Sequence, residues 1–201
     1  MASQPNILLT ADEYLAIEEK ADYKSEYFDG EMFAMSGVSV THDTIVYNLL
    51  LMLGNQLKGG PCRAHTSDMR VAVSPSSAYV YPDISIACKD AQYIRRGTDS
   101  LVNPVAIIEV LSPTTEAYDR GKKFKRYKGI ASLKEYVLVS QDEVLVERFV
   151  RQDTGGDWLY SSVTSLDDSL VLAAAPATLK LRDVYDGVFP AVGDRITEVA
   201  D

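Results

Sequence analysis

Apolar residues recur at helical spacing in one long segment of the first third of the chain. A helix is expected to start near Thr41 and to end at Gly59-Gly60-Pro61, because glycine and proline stop helices. Its apolar face consists of Ile45, Leu49, Met52, Leu53 and Leu57. Before it, the capping-box pattern Thr10-Ala11-Asp12-Glu13 predicts a short helix, and an Asp29-Gly30 turn within residues 25–35 predicts a hairpin.

Shorter apolar runs after this helix predict a series of strands. They are residues 68–73, 79–88, 104–111, 135–139, 144–150 and 158–163. The run Pro104–Leu111 is almost unbroken and is typical of a strand buried on both faces. A basic helix over residues 114–130 and a short helix over residues 181–185 complete the pattern. The sequence therefore predicts an α/β (α+β) fold, a mixed sheet flanked by helices with additional strands in the C-terminal part.

Size and charge limit the possible functions. The chain has 201 residues, so we expect one domain over residues 8–190, with tails at 1–7 and 191–201. The formal net charge of −9 argues against a protein whose whole surface binds nucleic acid, although a local basic site is compatible with it. No membrane-length apolar stretch and no signal peptide is evident, which predicts a cytoplasmic protein without a membrane segment. Cys62 and Cys88 are then expected to be free thiols.

Two carboxylates in apolar strands are the main candidates for chemistry. Glu109 lies in the middle of the most apolar strand, and Asp83 follows Pro82 in another. A buried carboxylate needs a cationic partner, a metal ion or a place at the end of its strand. Each acid alone is compatible with a buried ion pair or a strand-end cap. Together they suit Mg²⁺, which accepts one or two protein carboxylates and keeps waters and phosphate oxygens as further ligands.

The basic helix that follows Glu109 locally reverses the sign of the charge. Asp119, Lys123 and Tyr127 are spaced four residues apart and share a face, so a lysine on that face can reach the carboxylates. The other cations are candidates for contacts with nucleic-acid phosphates, although a solvated helix face explains them equally well; they are Arg120, Lys122, Lys125, Arg126 and Lys128.

These motifs resemble those of a known nuclease superfamily. Pro82-Asp83 followed by Glu109-Val110-Leu111 is similar to the Pro-Asp…(Asp/Glu)-x-Lys pattern, and the chain resembles the Uma-two (restriction-endonuclease-like) family found widely in cyanobacteria. Further matching stretches are residues 26–31, 36–42, 67–71, 81–83, 107–113, 119–123 and 135–139.

The resemblance implies a restriction-endonuclease-like core with Asp83 and Glu109 as ligands of a divalent metal. The chain departs from the pattern at Leu111, where the family motif has lysine. Lys123 is the candidate replacement and Lys122 the second choice. The expected supporting residues are Glu26, His42 and Asp68, although a surface acid, a helix cap and a strand-end ion pair with Arg70 are the respective structural alternatives.

The sequence thus favours an endonuclease that depends on Mg²⁺ or Mn²⁺ and hydrolyses phosphodiester bonds in DNA, which it is expected to bind weakly and in a salt-sensitive manner. Two alternatives stay open: an inactive nuclease fold that binds nucleic acid or a protein partner, and a hydrolase of a small phosphorylated molecule. The strand-rich segment 143–163 makes a homodimer possible.

Overall fold

The computed structural model describes residues 8–35, 37–153 and 156–189, and the predicted tails lie outside them. The helical segments are α1 (Ala11–Glu18), α2 (Val40–Leu57), α3 (Glu116–Tyr118), a π-helical turn (Asp119–Lys123), α4 (Phe124–Tyr127) and α5 (Leu181–Val184). The strands are β1 (Ser25–Phe28), β2 (Glu31–Ala34), β3 (Arg63–Thr66), β4 (Arg70–Ser74), β5 (Ala78–Val80), β6 (Ile84–Ala87), β7 (Tyr93–Arg96), β8 (Thr98–Leu101), β9 (Ala106–Leu111), β10 (Glu135–Ser140), β11 (Val146–Arg151), β12 (Trp158–Val163), β13 (Ser169–Val171) and β14 (Thr178–Lys180).

The strands form two six-stranded sheets and one small hairpin within this described part of the chain. The first sheet has the order β2-β1-β5-β4-β8-β7 and the second the order β12-β11-β10-β9-β6-β3, while β13 pairs with β14. β9 and β10 run parallel, as do β4 and β8, and the other neighbouring pairs run antiparallel. The predicted α+β fold with a mixed sheet is therefore confirmed.

The apolar face predicted for α2 packs against the second sheet. Ile45, Leu49 and Leu53 are fully buried there. Side chains alternate along β9, so Ile108 and Val110 face α2 while Ile107 and Leu111 pack in the core on the opposite side. Glu109 therefore faces the same side as Leu111, towards the segment α3–α4.

The predicted strand 79–88 is wrong as a single element. β5 belongs to the first sheet and β6 to the second, and Tyr81-Pro82-Asp83 connects them. Proline has no N–H to donate to a ladder, so the chain leaves one sheet at this point and enters the other. The connection places Asp83 at the junction of the two sheets.

The basic helix predicted over residues 114–130 is shorter than expected and interrupted. It runs from Glu116 to Tyr127 and contains the π-helical turn Asp119–Lys123. A π turn adds a residue to the helical repeat and changes which side chains point towards the sheet. Asp119, Lys123 and Tyr127 nevertheless all lie on the buried side.

The expectation of two free thiols is also wrong, because Cys62 and Cys88 form a disulfide. Arg63 of β3 pairs with Ala87 of β6, so the two cysteines lie opposite each other at the end of this antiparallel pair. A separation of 26 residues along the chain concealed this proximity.

Among the described helices, none is long and apolar enough to cross a membrane.

Candidate functional site

Asp83 and Glu109 interlock at the junction of the two sheets. The backbone N–H of Asp83 donates to Glu109 Oε2 at 3.2 Å, and the backbone N–H of Val110 donates to Asp83 Oδ2 at 2.8 Å. Glu109 thus accepts a hydrogen bond from the backbone of Asp83, and Asp83 accepts one from the backbone of Val110, the residue next to Glu109. The two acids predicted from the sequence therefore lie side by side.

Lys123 and Tyr127 hold the second oxygen of Glu109. The Lys123 ammonium lies 2.9 Å from Glu109 Oε1, and the Tyr127 hydroxyl donates to the same oxygen at 2.8 Å. The side chains of Lys123 and Glu109 are 8% and 4% exposed, so this ion pair is shielded from water. The four-residue spacing that placed Lys123 and Tyr127 on one face brings both to Glu109.

Two further carboxylates surround the Lys123 ammonium. Glu26 of β1 lies 3.3 Å from it and Asp119 lies 3.5 Å from it. Glu26 Oε1 also accepts the backbone N–H of Tyr81 at 3.3 Å, which fixes it beside the connection that carries Asp83. Residues from both sheets and from the helical segment therefore meet at one ammonium group.

Negative charge is in excess in this cluster. Burial raises the pKa of Glu109 to about 8; the Lys123 ammonium opposes this shift, while Asp83 and Asp119 reinforce it. Burial also raises the pKa of Asp119. Burial alone would lower the pKa of Lys123, but Glu109, Glu26 and Asp119 outweigh it and raise that pKa. A single ammonium is shared by more carboxylates than it can neutralise.

His42 contacts the cluster from the start of α2. Ser39 caps this helix by accepting the backbone N–H of His42 at 3.1 Å, and His42 Nε2 lies 3.2 Å from Asp83 Oδ2. Burial lowers the pKa of His42, but the hydrogen bond and charge of Asp83 outweigh it and raise the pKa overall. The cap is therefore Ser39 and not His42, which lies in the first turn of the helix and contacts the candidate ligand through its side chain.

The cluster opens into a cleft of about 550 Å³. Glu26, Asp83, Glu109 and Lys123 line it together with Lys122 and Arg126. Lys122 is exposed, and Arg126 donates to the Tyr118 hydroxyl at 3.3 Å. Two of the cations predicted to contact phosphate are therefore placed beside the carboxylates.

The remaining sequence candidates lie elsewhere. Arg120 pairs with Glu116 at 2.7 Å and with Glu147, and it does not line the cleft. Lys125 and Lys128 are exposed outside the cleft lining. Asp68 is exposed and pairs with Lys24 rather than with Arg70.

Arg70 is buried in the first sheet, where it donates to Ser100 Oγ at 2.8 Å. Arg70 does not line the cleft.

Asp119 and Tyr127 belong to the site, although the sequence did not single them out as functional. Their spacing from Lys123 was the signal that could have identified them. Gln141, at the end of β10, also lines the cleft and accepts a hydrogen bond from the Ser39 hydroxyl at 2.7 Å. Nothing in the sequence pattern pointed to Gln141.

Asp83 and Glu109 are the residues able to hold a divalent metal. Within the described residues, no set of three or more His, Cys, Asp or Glu side chains is arranged as a metal site. Mg²⁺ needs only one or two carboxylates from the protein. Val110 and His42 both contact Oδ2 of Asp83, and the excess of carboxylates over ammonium groups favours a further cation. The donor set therefore fits this ion.

The two sheets, the flanking helices and the carboxylate–lysine cluster define a restriction-endonuclease-like nuclease fold. The crystal structure of a putative nuclease belonging to DUF820 from Anabaena variabilis superposes with a TM-score of 0.70 over 90% of this chain and 99% of that one, at 19% identity.

The chain belongs to the Uma2 family, whose description is "Putative restriction endonuclease" and whose family model matches residues 11–182. An uncharacterized protein of Synechocystis sp. is 36% identical over 186 residues, which cover 92% of this chain and 96% of the relative. A second uncharacterized Synechocystis protein is 34% identical over 142 residues, 71% of this chain and 80% of the relative.

Proposed function

We propose that the protein is an endonuclease that uses Mg²⁺ or Mn²⁺ to hydrolyse phosphodiester bonds in DNA. The observation that carries the proposal is the position of Lys123, whose ammonium lies 2.9 Å from Glu109. The family motif has a lysine at the position of Leu111 in the strand, and Lys123 of the helical segment provides the cation in its place. The lysine, the two acids and the cleft together have the composition that phosphodiester hydrolysis requires.

Each residue of the cluster has a separate role in the proposed reaction. Asp83 and Glu109 would hold the metal, which when bound polarises the phosphate and lowers the pKa of a water ligand. Lys123 and Tyr127 fix the orientation of Glu109, and the Lys123 ammonium would donate a hydrogen bond that orients the attacking water or stabilises the developing negative charge.

Lys122 and Arg126 line the same cleft and would neutralise the phosphates next to the bond that is cleaved. Lys125 and Lys128 lie on the adjoining exposed surface. With few cations in the cleft and a net charge of −9, the protein is expected to bind DNA weakly and to lose it as the salt concentration rises.

A second candidate function is a binding module that holds nucleic acid without cleaving it. Both oxygens of Glu109 already accept protein donors, from Asp83 on one side and from Lys123 and Tyr127 on the other. If these bonds outcompete the metal, the cleft binds a strand but performs no hydrolysis.

Nicking of supercoiled DNA tests the first proposal. We expect the wild-type protein to nick in Mg²⁺ and not in EDTA, and Asp83→Asn and Glu109→Gln to reduce the rate at least about 100-fold. Glu135→Gln is the matched control, because Glu135 is a fully buried carboxylate outside the cleft. Equal rates for Glu109→Gln and wild type would refute the assignment. Metal-independent binding without nicking by the wild type would favour the binding module.

We propose that the homodimer that the sequence allows forms through β12. This strand is at one edge of the second sheet and carries Leu159 and Tyr160, which are 60% and 51% exposed. An exposed edge strand is a template for pairing with a second copy. Sedimentation of the wild type and of Leu159→Lys tests this: a dimer that the substitution dissociates supports it, and a wild-type monomer at high protein concentration refutes it.

A further inference from the structure

One wall of the cleft is apolar and solvent-exposed. Phe33, Met35 and Val38 line it on the side of β2 and the loop that follows, and they are 48%, 37% and 61% exposed. Large exposed apolar side chains grouped in a cleft mark a binding surface rather than a part of the core. The cation-lined wall with Lys122 and Arg126 belongs to the same cleft.

The strand register places Phe33 next to the candidate catalytic cluster. Phe33 of β2 is directly opposite Glu26 of β1, and directly opposed residues present their side chains on the same face of a sheet. Glu26 lies 3.3 Å from the Lys123 ammonium. The exposed ring is therefore a neighbour of the group that contacts Glu109.

The Phe33 ring continues an aromatic row that also fixes Arg126. Its centroid is 6.3 Å from that of Phe28, and the Phe28 ring is 6.0 Å from that of Tyr118. The Arg126 guanidinium lies over Phe28, 3.7 Å from the ring centroid, and bonds to the Tyr118 hydroxyl. The same group of aromatic side chains therefore holds both Arg126, a cation that can bind a phosphate, and Phe33, an exposed ring on which a base can stack.

From this arrangement we infer that the protein acts on single-stranded or locally unpaired DNA, with one unpaired base packed on Phe33 while its phosphate lies between Arg126, Lys122 and the carboxylates. The inference rests on the proposed function and adds the substrate class to it. Stacking on aromatic side chains requires an exposed base face, which a paired and stacked duplex does not offer.

Charge and size favour this occupant over a duplex. Proteins that bind duplex DNA through its backbone rely on many phosphate contacts, whereas this cleft contains two exposed or half-exposed cations in a chain of net charge −9. Base stacking supplies affinity that the charges do not. A volume of about 550 Å³ is within the range of pockets that enclose one small molecule, so it suits a nucleotide unit of a strand.

Three labelled oligonucleotides test the inference in fluorescence anisotropy with the full chain, Ca²⁺ replacing Mg²⁺. They are a single strand, the same sequence as a duplex, and a strand of the same length whose central nucleotides are abasic. We expect the single strand to bind at least about tenfold more tightly than the other two. Phe33→Ala should weaken single-strand binding about 5- to 150-fold and leave binding of the abasic strand unchanged. Phe33→Trp should keep the preference for the single strand.

Tyr47→Ala is the control, because Tyr47 is 64% exposed on α2 and does not line the cleft. Equal binding of all three oligonucleotides, or an unchanged preference in Phe33→Ala with a native thermal transition, would overturn the inference.

The cleavage assay separates the two proposals. Nicking of duplex DNA that depends on Glu109 but not on Phe33 would retain the proposed function and refute this inference. A base-dependent preference for single strands without Mg²⁺-dependent cleavage would refute the proposed function and retain this inference.

Discussion

Lys123→Met tests the central ion cluster most directly. The substitution keeps an unbranched apolar side chain but removes the ammonium from between Glu109, Glu26 and Asp119, which lie 2.9, 3.3 and 3.5 Å away. At an effective dielectric constant of about 20, each of these contacts is worth about 5–6 kcal/mol before desolvation is counted. Desolvation of the buried ions offsets most of that attraction, so the net effect is smaller.

Measured losses from breaking a buried ion pair are about 3–5 kcal/mol, because the partner charge stays buried without compensation. With a urea slope of about 2 kcal/mol per M, we expect the unfolding midpoint of Lys123→Met to fall by about 2 M. Fluorescence of Trp158, the single tryptophan, follows the transition, since its ring packs 5.3 Å from that of Phe124 next to the cluster. Measurements in EDTA exclude stabilisation by a bound metal.

Two further variants show whether charge is the cause. Adding Glu109→Gln to Lys123→Met removes one unpaired carboxylate and should restore part of the lost stability, as expected for residues that interact directly. Lys134→Met changes an exposed lysine and should shift the stability by no more than about 0.5 kcal/mol. A loss below about 1 kcal/mol for Lys123→Met would refute the burial of this ammonium among three carboxylates.

Three other predictions concern charge and covalent structure. Burial raises the pKa of Glu135, so the stability contribution of this residue is complete below the ordinary carboxyl pKa and is lost as the pH rises through the raised value. Urea unfolding should therefore show Glu135→Gln gaining stability relative to wild type as the pH rises above about 4. Reduction of the Cys62–Cys88 disulfide, which spans 26 residues, should lower the stability by about 3.5 kcal/mol in denaturation with and without reductant, and equal stability would contradict it. For a single strand neutralised by Lys122 and Arg126 alone, the slope of log K against log salt should be about −1.4, and a much steeper slope would show that Lys125 and Lys128 also contact phosphates.

The local elements that the sequence predicted well are those with strong short-range signals. The apolar spacing of α2 and the glycines and proline that follow it predicted that helix to within a few residues of its observed ends. The Asp29-Gly30 pair has φ angles of 48° and 98°, the left-handed conformations that a tight hairpin turn demands. Such signals depend on neighbours in the chain and are therefore visible in a single sequence.

The first sheet was not predictable in the same way. β7 and β8 are short and largely polar or exposed, and they exist because they pair with each other and with β4. The predicted strand 79–88 divides into β5 and β6 because its two halves pair with strands of different sheets. Pro82 marks the break between them. The position of Glu26 beside Lys123 follows from this long-range pairing, so the sequence offered it only as a supporting candidate.

Leu111 shows why the missing motif lysine does not by itself imply an inactive site. Leu111 and Glu109 face the same side of β9, and Leu111 is 3% exposed in the apolar core. The helical segment packs over this face of β9, and its residues Lys123 and Tyr127 contact Glu109. What the chemistry needs is an ammonium near the carboxylate, not a lysine two residues along the strand. The proposed replacement, Lys123, lies on the helix face that covers the strand, four residues from Asp119, whereas its neighbour Lys122 is exposed in the cleft.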